Sequence, residues 1–328
     1  MDVTLRPLTT ADIPALAGHL AAVEAVDRTG EHYNEDDLVE EFANPDIQVG
    51  KDIVGAFDRE TLVGYFAVYP RSATDTQRVH LEGSVDPERR GEGIGTRLVA
   101  AMIARADEVH AERHPDLPAT FTLSAPSSNT AQEELLGGFG LVPERWNFQM
   151  RIRLRGVGPL RELPEGLEAR RYEPSDAAAT LAAHNEAFAD HPNFTPWSDV
   201  MWRHWVTESR NFRPELSLVV VETSRPERIV AYLQSHEYDA YFQATGRREA
   251  YVGRLGTLRE FRGRGLASAL LGRALALYRE AGFDEASLDV DSENPTGALG
   301  IYRRAGFEVE SRWTNYVLAR RPLRRSEA

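Results

Sequence analysis

Residues 259–270 read REFRGRGLASAL, and residues 87–98 read PERRGEGIGTRL. Each stretch sets an Arg and closely spaced glycines between a run rich in strand formers and a run of good helix formers. That arrangement suits one task, the seating of a diphosphate. A helix start offers unpaired backbone N–H groups and the positive end of the helix dipole. Glycines let phosphate oxygens approach the main chain and supply permissive dihedrals. The Arg adds charge-assisted hydrogen bonds. The candidates are Arg262, Gly263, Arg264, Gly265, Leu266 and Ala267 in the later copy, and Arg90, Gly91, Gly93 and Gly95 in the earlier one. Alone, a Gly-rich turn before a helix is most often just a turn. Neither copy has the glycine spacing of a dinucleotide fingerprint, and neither has the Gly-Lys-Ser/Thr of a P-loop.

The two loops belong to a longer self-similarity. LRPLTTADIPAL (5–16) parallels ARRYEPSDAAATL (169–181), and LLGGFGLVPERW (135–146) parallels IYRRAGFEVESRW (301–313). The landmarks recur in the same order at an offset of ~170 residues, far longer than a solenoid repeat. The chain therefore reads as a duplication, with domains at 1–155 and 166–328. The seam is RGVGPLRELPEG (155–166), rich in Gly and Pro and without apolar periodicity. Within each half strands precede and follow helices, so the class is α/β with a mixed sheet. In the second half, strands are expected at 216–223, 229–238, 249–258, 286–290 and 312–319. Helices are expected at 266–282 and 297–307, and SRPER is expected as a turn.

Composition narrows the chemistry. The 328 residues include no cysteine, which removes disulfides, thiolate metal sites and a cysteine nucleophile. The nine histidines show no metal-binding helix pair, and no metal is expected. The formal net charge of −13 argues against nucleic acid as a partner. No apolar run approaches the roughly 18 residues of a membrane span, and the first residues carry an early acid and no apolar core, so a cytoplasmic location is expected.

Downstream of the second loop, DSENPTGALGIYRRAGF (291–307) places Asn294, Ala298, Tyr302 and Gly306-Phe307 at the spacing N-x-x-x-A-x-x-x-Y-x-x-x-G-F. With RGRGLA upstream, this constellation resembles the GCN5-related N-acetyltransferase (GNAT) superfamily in its tandem, two-domain form. The resemblance covers nearly the whole chain, twice. It implies two tandem domains, each a strongly twisted mixed sheet flanked by helices, with a splayed strand pair for coenzyme A. It further implies acetyl-CoA as co-substrate, held by the two glycine loops, by Asn294 and Ala298, and by the strand ends at Thr257, Leu258 and, in the first half, Val85. Backbone amides at Thr257 and Leu258 would polarise the thioester carbonyl, and Tyr302 would be the general acid. The family's base is a Glu on the strand before the loop. Glu249 and Glu237 are the candidates here, with Asp239 beside them.

The halves are not equal. Aligning Gly140 with Gly306 puts Leu136 where Tyr302 stands, and Leu donates no proton. Catalysis is therefore expected in the second half, with the first a degenerate copy that either holds acetyl-CoA or serves structure alone. The expected reaction is direct acetyl transfer, in a ternary complex, to a primary amine of a small molecule of the aminoglycoside or mycothiol-precursor kind. The aromatic stretch NEAFADHPNFTPWSDVMWRHW (185–205) is the candidate acceptor wall. A peptide or protein N-terminal acetyltransferase and a non-catalytic acyl-CoA-binding protein are the alternatives. A monomer or homodimer is expected.

Overall fold

The computed structural model describes residues 3–155, 160–191, 194–292 and 297–323. The chain divides into two compact units, Met1–Trp146 with Arg312–Ala328, and Asn147–Ser311. In the first unit the order is β1 (Val3–Pro7), α1 (Ile13–Asp27), α2 (Glu35–Phe42), α3 (Val49–Asp52), β2 (Ile53–Asp58), β3 (Thr61–Pro70), β4 (Gln77–Val85), α4 (Ile94–Arg113), β5 (Ala119–Pro126) and α5 (Thr130–Gly138). Strand β6 (Val142–Arg153) runs from this unit into the second. There follow β7 (Leu167–Arg171), α6 (Ala177–Phe188), α7 (Asp199–Trp202), β8 (Leu218–Glu222), β9 (Arg225–His236), α8 (Asp239–Thr245), β10 (Glu249–Thr257), α9 (Leu266–Glu280), β11 (Glu285–Asp291) and α10 (Ala298–Ala305). The last strand, β12 (Glu308–Arg320), returns to the first unit.

Both units carry the expected mixed sheet. In the first, neighbours run β1-β2-β3-β4-β5-β12, with β4 and β5 parallel and the other pairs antiparallel. In the second they run β6-β11-β10-β9-β8-β7, with only β10 and β11 parallel. Each sheet is thus closed by a strand from the other half of the sequence. Trp313–Arg320 pairs with 119–126, and Asn147–Arg153 pairs with 285–291.

Strand alternation puts opposite faces of one strand into separate cores. On β3, Phe66 and Val68 pack with Leu98, Met102 and Phe121, whereas Tyr65, Ala67 and Tyr69 pack with Leu16, Leu38 and Phe42 under α1 and α2. Tyr316 of β12 is buried in the first of these cores. The second unit is built around one large cluster, in which Leu270, Leu271 and Ala274 of α9 meet Val219, Val220 and Leu288. One local expectation changes: of SRPER only Ser224 lies in the turn, and residues 225–228 belong to β9. The turn falls one residue earlier, and a register shift between Val221 and Glu222 takes up residues 226–228. Pro226 has no N–H for the ladder, and a bulge is where a strand tolerates that loss.

Candidate active site

The ladder explains where each sheet opens. Parallel pairing of β10 with β11 runs from Glu249↔Glu285 to Tyr251↔Ser287, and the strands then continue apart to Thr257 and Asp291. The first unit repeats this: β4 and β5 pair from Gln77↔Ala119 to Leu81↔Leu123 before β4 runs on to Val85. In β10 a register shift falls between Val252 and Arg254. The residue there is Gly253, and a Cβ on it would lie 2.6 Å from the His236 ring. In the first unit the opening is a cleft of about 400 Å³ lined by Ser84, Val85, Arg90, Gly93, Gly95 and Leu136, among others.

Both glycine loops lead into a helix, as their residue types predict. Gly263 and Gly265 take φ of 74° and 86°, and Gly91 and Gly93 both take 80°, dihedrals that favour glycine. Gly265 and Gly93 cap α9 and α4 directly, so the first-turn amides of these helices have no intrahelical acceptor. Leu266 is buried, leaving its N–H, not its side chain, to serve a ligand.

The arginines behave differently from expectation. Arg262 bonds Asp190 at 3.1 Å, the Ala187 carbonyl at 2.6 Å and the Thr257 carbonyl at 3.3 Å. Arg90 forms a bidentate pair with Asp27, both bonds at 2.7 Å, and reaches the Val85 carbonyl at 3.3 Å. Their charge is therefore spent on tying each loop to the helix behind it, and the loops offer a diphosphate main-chain amides. Arg264 lies over the Phe261 ring, 5.0 Å from its centroid.

Strand geometry also divides the roles expected of Thr257 and Leu258. The Leu258 amide donates to the Val230 carbonyl at 2.9 Å and is not free. Since Thr257 stands opposite Ala231, that bond makes them a non-hydrogen-bonded pair, so the Thr257 N–H faces away from β9, towards the gap beside β11. In the first unit Asp86 donates to Val63 at 3.0 Å and Val85 stands opposite Gly64, so the Val85 N–H faces its cleft in the same way.

Tyr302 is buried on α10 with its ring edge-on to Phe307. Burial pushes its hydroxyl up to about 12. Such a phenol stays protonated, but passing its proton to a thiolate whose conjugate acid titrates near roughly 8.5 is uphill by about 4–5 kcal/mol unless the transfer is coupled. Leu136, its counterpart, lines the first unit's cleft. Ala298 opens α10, and Asn294 lies outside the described residues.

Neither expected base is placed for its task. Glu249 sits at the paired end of β10, eight residues from Thr257, which at strand rise is about 25 Å. It is ion-paired with Arg151, which also holds Glu285 at 3.2 Å and Glu310 at 2.6 Å. Glu237 accepts from Arg213 at 3.1 Å and Arg248 at 2.9 Å, one on each oxygen. Asp239 lies 3.5 Å from Arg210. These acids hold β10, β11 and the segment after β9 in place.

Comparison with known proteins gives this arrangement its family. The acetyltransferase (GNAT) family pattern matches twice, over residues 21–122 and 180–307. The chain belongs to the GNAT acetyltransferase family. It is 33% identical over 276 residues to a mycothiol acetyltransferase of Thermobispora bispora, covering 81% of this chain and 82% of that one. It is 29% identical to the corresponding protein of Rhodococcus opacus, over 76% and 77% of the two chains. A GCN5-related N-acetyltransferase from Sphaerobacter thermophilus superposes with a TM-score of 0.77 at 29% identity, over 98% and 96% of the chains. A tandem GNAT protein from the clavulanic acid biosynthesis pathway shares the fold at a TM-score of 0.70 and 18% identity, over 97% and 98%. The protein is an N-acetyltransferase, and the GNAT fold uses acetyl-CoA.

Within the GNAT framework the register exposes residues that the sequence reading missed. Counting eight back from each loop Arg reaches Glu82 from Arg90 and Arg254 from Arg262. The ladder supports the match, because Ser84 faces Tyr65 as Gly256 faces Tyr232. Glu82 Oε1 accepts from Tyr65 at 3.0 Å and Tyr69 at 3.1 Å. Burial raises its carboxyl above the usual range, against the pull of those two hydrogen bonds and of Arg71. In the second unit Arg254 lies over Trp197 at 4.4 Å. His184 accepts from or donates to Tyr232 at 2.6 Å, ringed by Phe188, Phe194, Trp197 and Trp202. Burial, with Arg254, holds His184 neutral, down to about 3. The first unit thus has a strand carboxylate and no helix Tyr, and the second has the Tyr and an Arg in place of the carboxylate.

Proposed function

We propose that this chain transfers acetyl from acetyl-CoA directly to a primary amine of a small, polar molecule, within a ternary complex in the second unit. The observation that carries this reading is Tyr302, a hydroxyl kept protonated by burial on the helix that follows the splayed pair β10/β11. The first-turn amides of α9 seat the diphosphate, the Thr257 N–H draws on the thioester oxygen, and Tyr302 supplies the proton to the departing sulfur and regains one from the amine nitrogen as it is acetylated. Phe194 and Trp197, at the part-buried edge of the aromatic cluster around His184, are the candidate wall for an acceptor with apolar faces. The name borne by the relatives, mycothiol acetyltransferase, supports an acceptor of the mycothiol-precursor kind.

A second reading puts the chemistry in the first unit. Glu82 favours it, being an acid with a raised proton affinity on the strand beside a cleft of about 400 Å³. Thiol release from acetyl-CoA against a panel of amino sugars, cysteinyl sugars and peptides tests the class of reaction. Turnover with amino or cysteinyl sugars supports small-molecule acetylation. Turnover with peptides alone, or CoA binding without turnover, replaces it with one of the two other readings.

A further inference from the structure

A cation rests at the N-terminus of α9, where the main chain favours an anion. A Cβ built on Gly265, the cap of α9, would lie 2.4 Å from Cζ and Nε of Arg161 and 2.7 Å from its Nη2. The guanidinium therefore lies against the α-carbon at the mouth of the loop. Its backbone is tethered there, since Arg273 donates to the Arg161 carbonyl at 2.7 Å. The side chain of the preceding Leu160 lies 3.7 Å from where a Cβ of Gly272 would stand, along the same helix. Without an anion this placement is unfavourable: the helix end is positive and Arg264 stands nearby in sequence. A diphosphate on the α9 amides would reverse the sign of that interaction. The loop Arg is not free to do so, because Arg262 is committed to Asp190 and the Ala187 carbonyl. In the first unit, among the described residues, nothing stands within 4 Å of a Cβ on Gly93.

We propose that Arg161, from the segment that joins the two halves of the sequence, is a diphosphate ligand for acetyl-CoA in the second unit. It rests on the reading of the α9 loop as the coenzyme site. It takes over the charge-assisted hydrogen bonds that the loop arginine gives up, and its planar fork suits two phosphate oxygens at once.

The test compares two probes, one with and one without the nucleotide portion that carries the diphosphate. Wild type, Arg161→Ala and Arg161→Lys are titrated calorimetrically with coenzyme A and with pantetheine, which lacks diphosphate and nucleotide. Arg161 is exposed, so neither variant threatens the fold. The proposal expects Arg161→Ala to weaken one coenzyme A binding event about tenfold, to leave pantetheine unchanged, and to lower the salt dependence of that event. Arg161→Lys recovers part of the loss. Coenzyme A binding unchanged in Arg161→Ala, or pantetheine weakened equally, overturns the proposal while the coenzyme site stands. A wild type that takes up no coenzyme A overturns the site itself.

Discussion

Tyr65 donates its hydroxyl to Oε1 of Glu82 at 3.0 Å. The matching strand position in the second unit belongs to Arg254, whose own partner across the ladder is Gln234. On the proposed reading the proton donor and the strand carboxylate stand in different units, and two substitutions tell which part turns over. With catalysis in the second unit, Tyr302→Phe lowers turnover about 10²-fold or more and leaves coenzyme A affinity intact, while Glu82→Gln stays within about twofold of wild type. Steady-state kinetics on both variants decide it, and the reverse pattern moves the chemistry to the first unit.

Asp190 gives a sharper electrostatic test. If its charge acted on the diphosphate directly, Asp190→Ala would strengthen binding of an anion. The bond from Arg262 to Asp190 at 3.1 Å assigns it instead to holding the loop. Asp190→Ala is therefore expected to weaken coenzyme A binding several-fold, although the protein loses a negative charge. Tighter binding would show that the loop keeps its shape without this anchor.

Stability should depend on pH through the acids under α2. Burial and the charge of Glu82 push Glu41 up to about 8, opposed by Tyr69 and Arg71 and assisted by Glu40. A carboxyl that holds its proton more tightly in the folded chain favours folding fully below its unfolded value near 4.5, and that contribution is lost as pH rises towards 8. Glu41→Gln should flatten the fall in thermal midpoint across this window and raise the midpoint at pH 8. Denaturation scans from pH 5 to 8.5 check this, and an unaltered slope rules Glu41 out as its source.

Two glycines separate backbone strain from crowding. Gly263 takes φ of 74° with open space around it, so Gly263→Ala costs only the strain of that dihedral, about 1 kcal/mol. A Cβ on Gly253 would lie 2.6 Å from the buried His236 ring, so Gly253→Ala must also displace that ring, at about 1–3 kcal/mol. Urea denaturation of the two variants should rank Gly253→Ala as the more damaging, and equal costs would mean that His236 moves aside freely.

What could be read from residues alone was whatever local rules govern. Glycines before a helix, the stop at Gly306 and the strand runs of the second half all depend on near neighbours in the chain, and they lie where periodicity puts them. Partnership was not legible. Arg262 reads as a phosphate ligand until Asp190, seventy-two residues earlier, takes it up. Glu249 reads as a base until Arg151 arrives from β6. Glu82 was accessible by counting eight back from Arg90, and the same count from Arg262 reaches Arg254, but neither position stands out until the ladder sets Ser84 opposite Tyr65 and Gly256 opposite Tyr232. The exchange of closing strands was hidden too, because an edge strand looks the same whichever sheet it joins.

That exchange reaches into the birth of the protein. Because 313–320 zips onto 119–126, the earlier portion of the chain emerges from the ribosome with one flank of its sheet bare. It must wait for about 190 further residues before that flank is covered, and bare strand flanks invite pairing with strangers. A gene cut at the middle would yield two fragments that each lack their closing strand. Produced together, the same fragments hold everything required to complete one another.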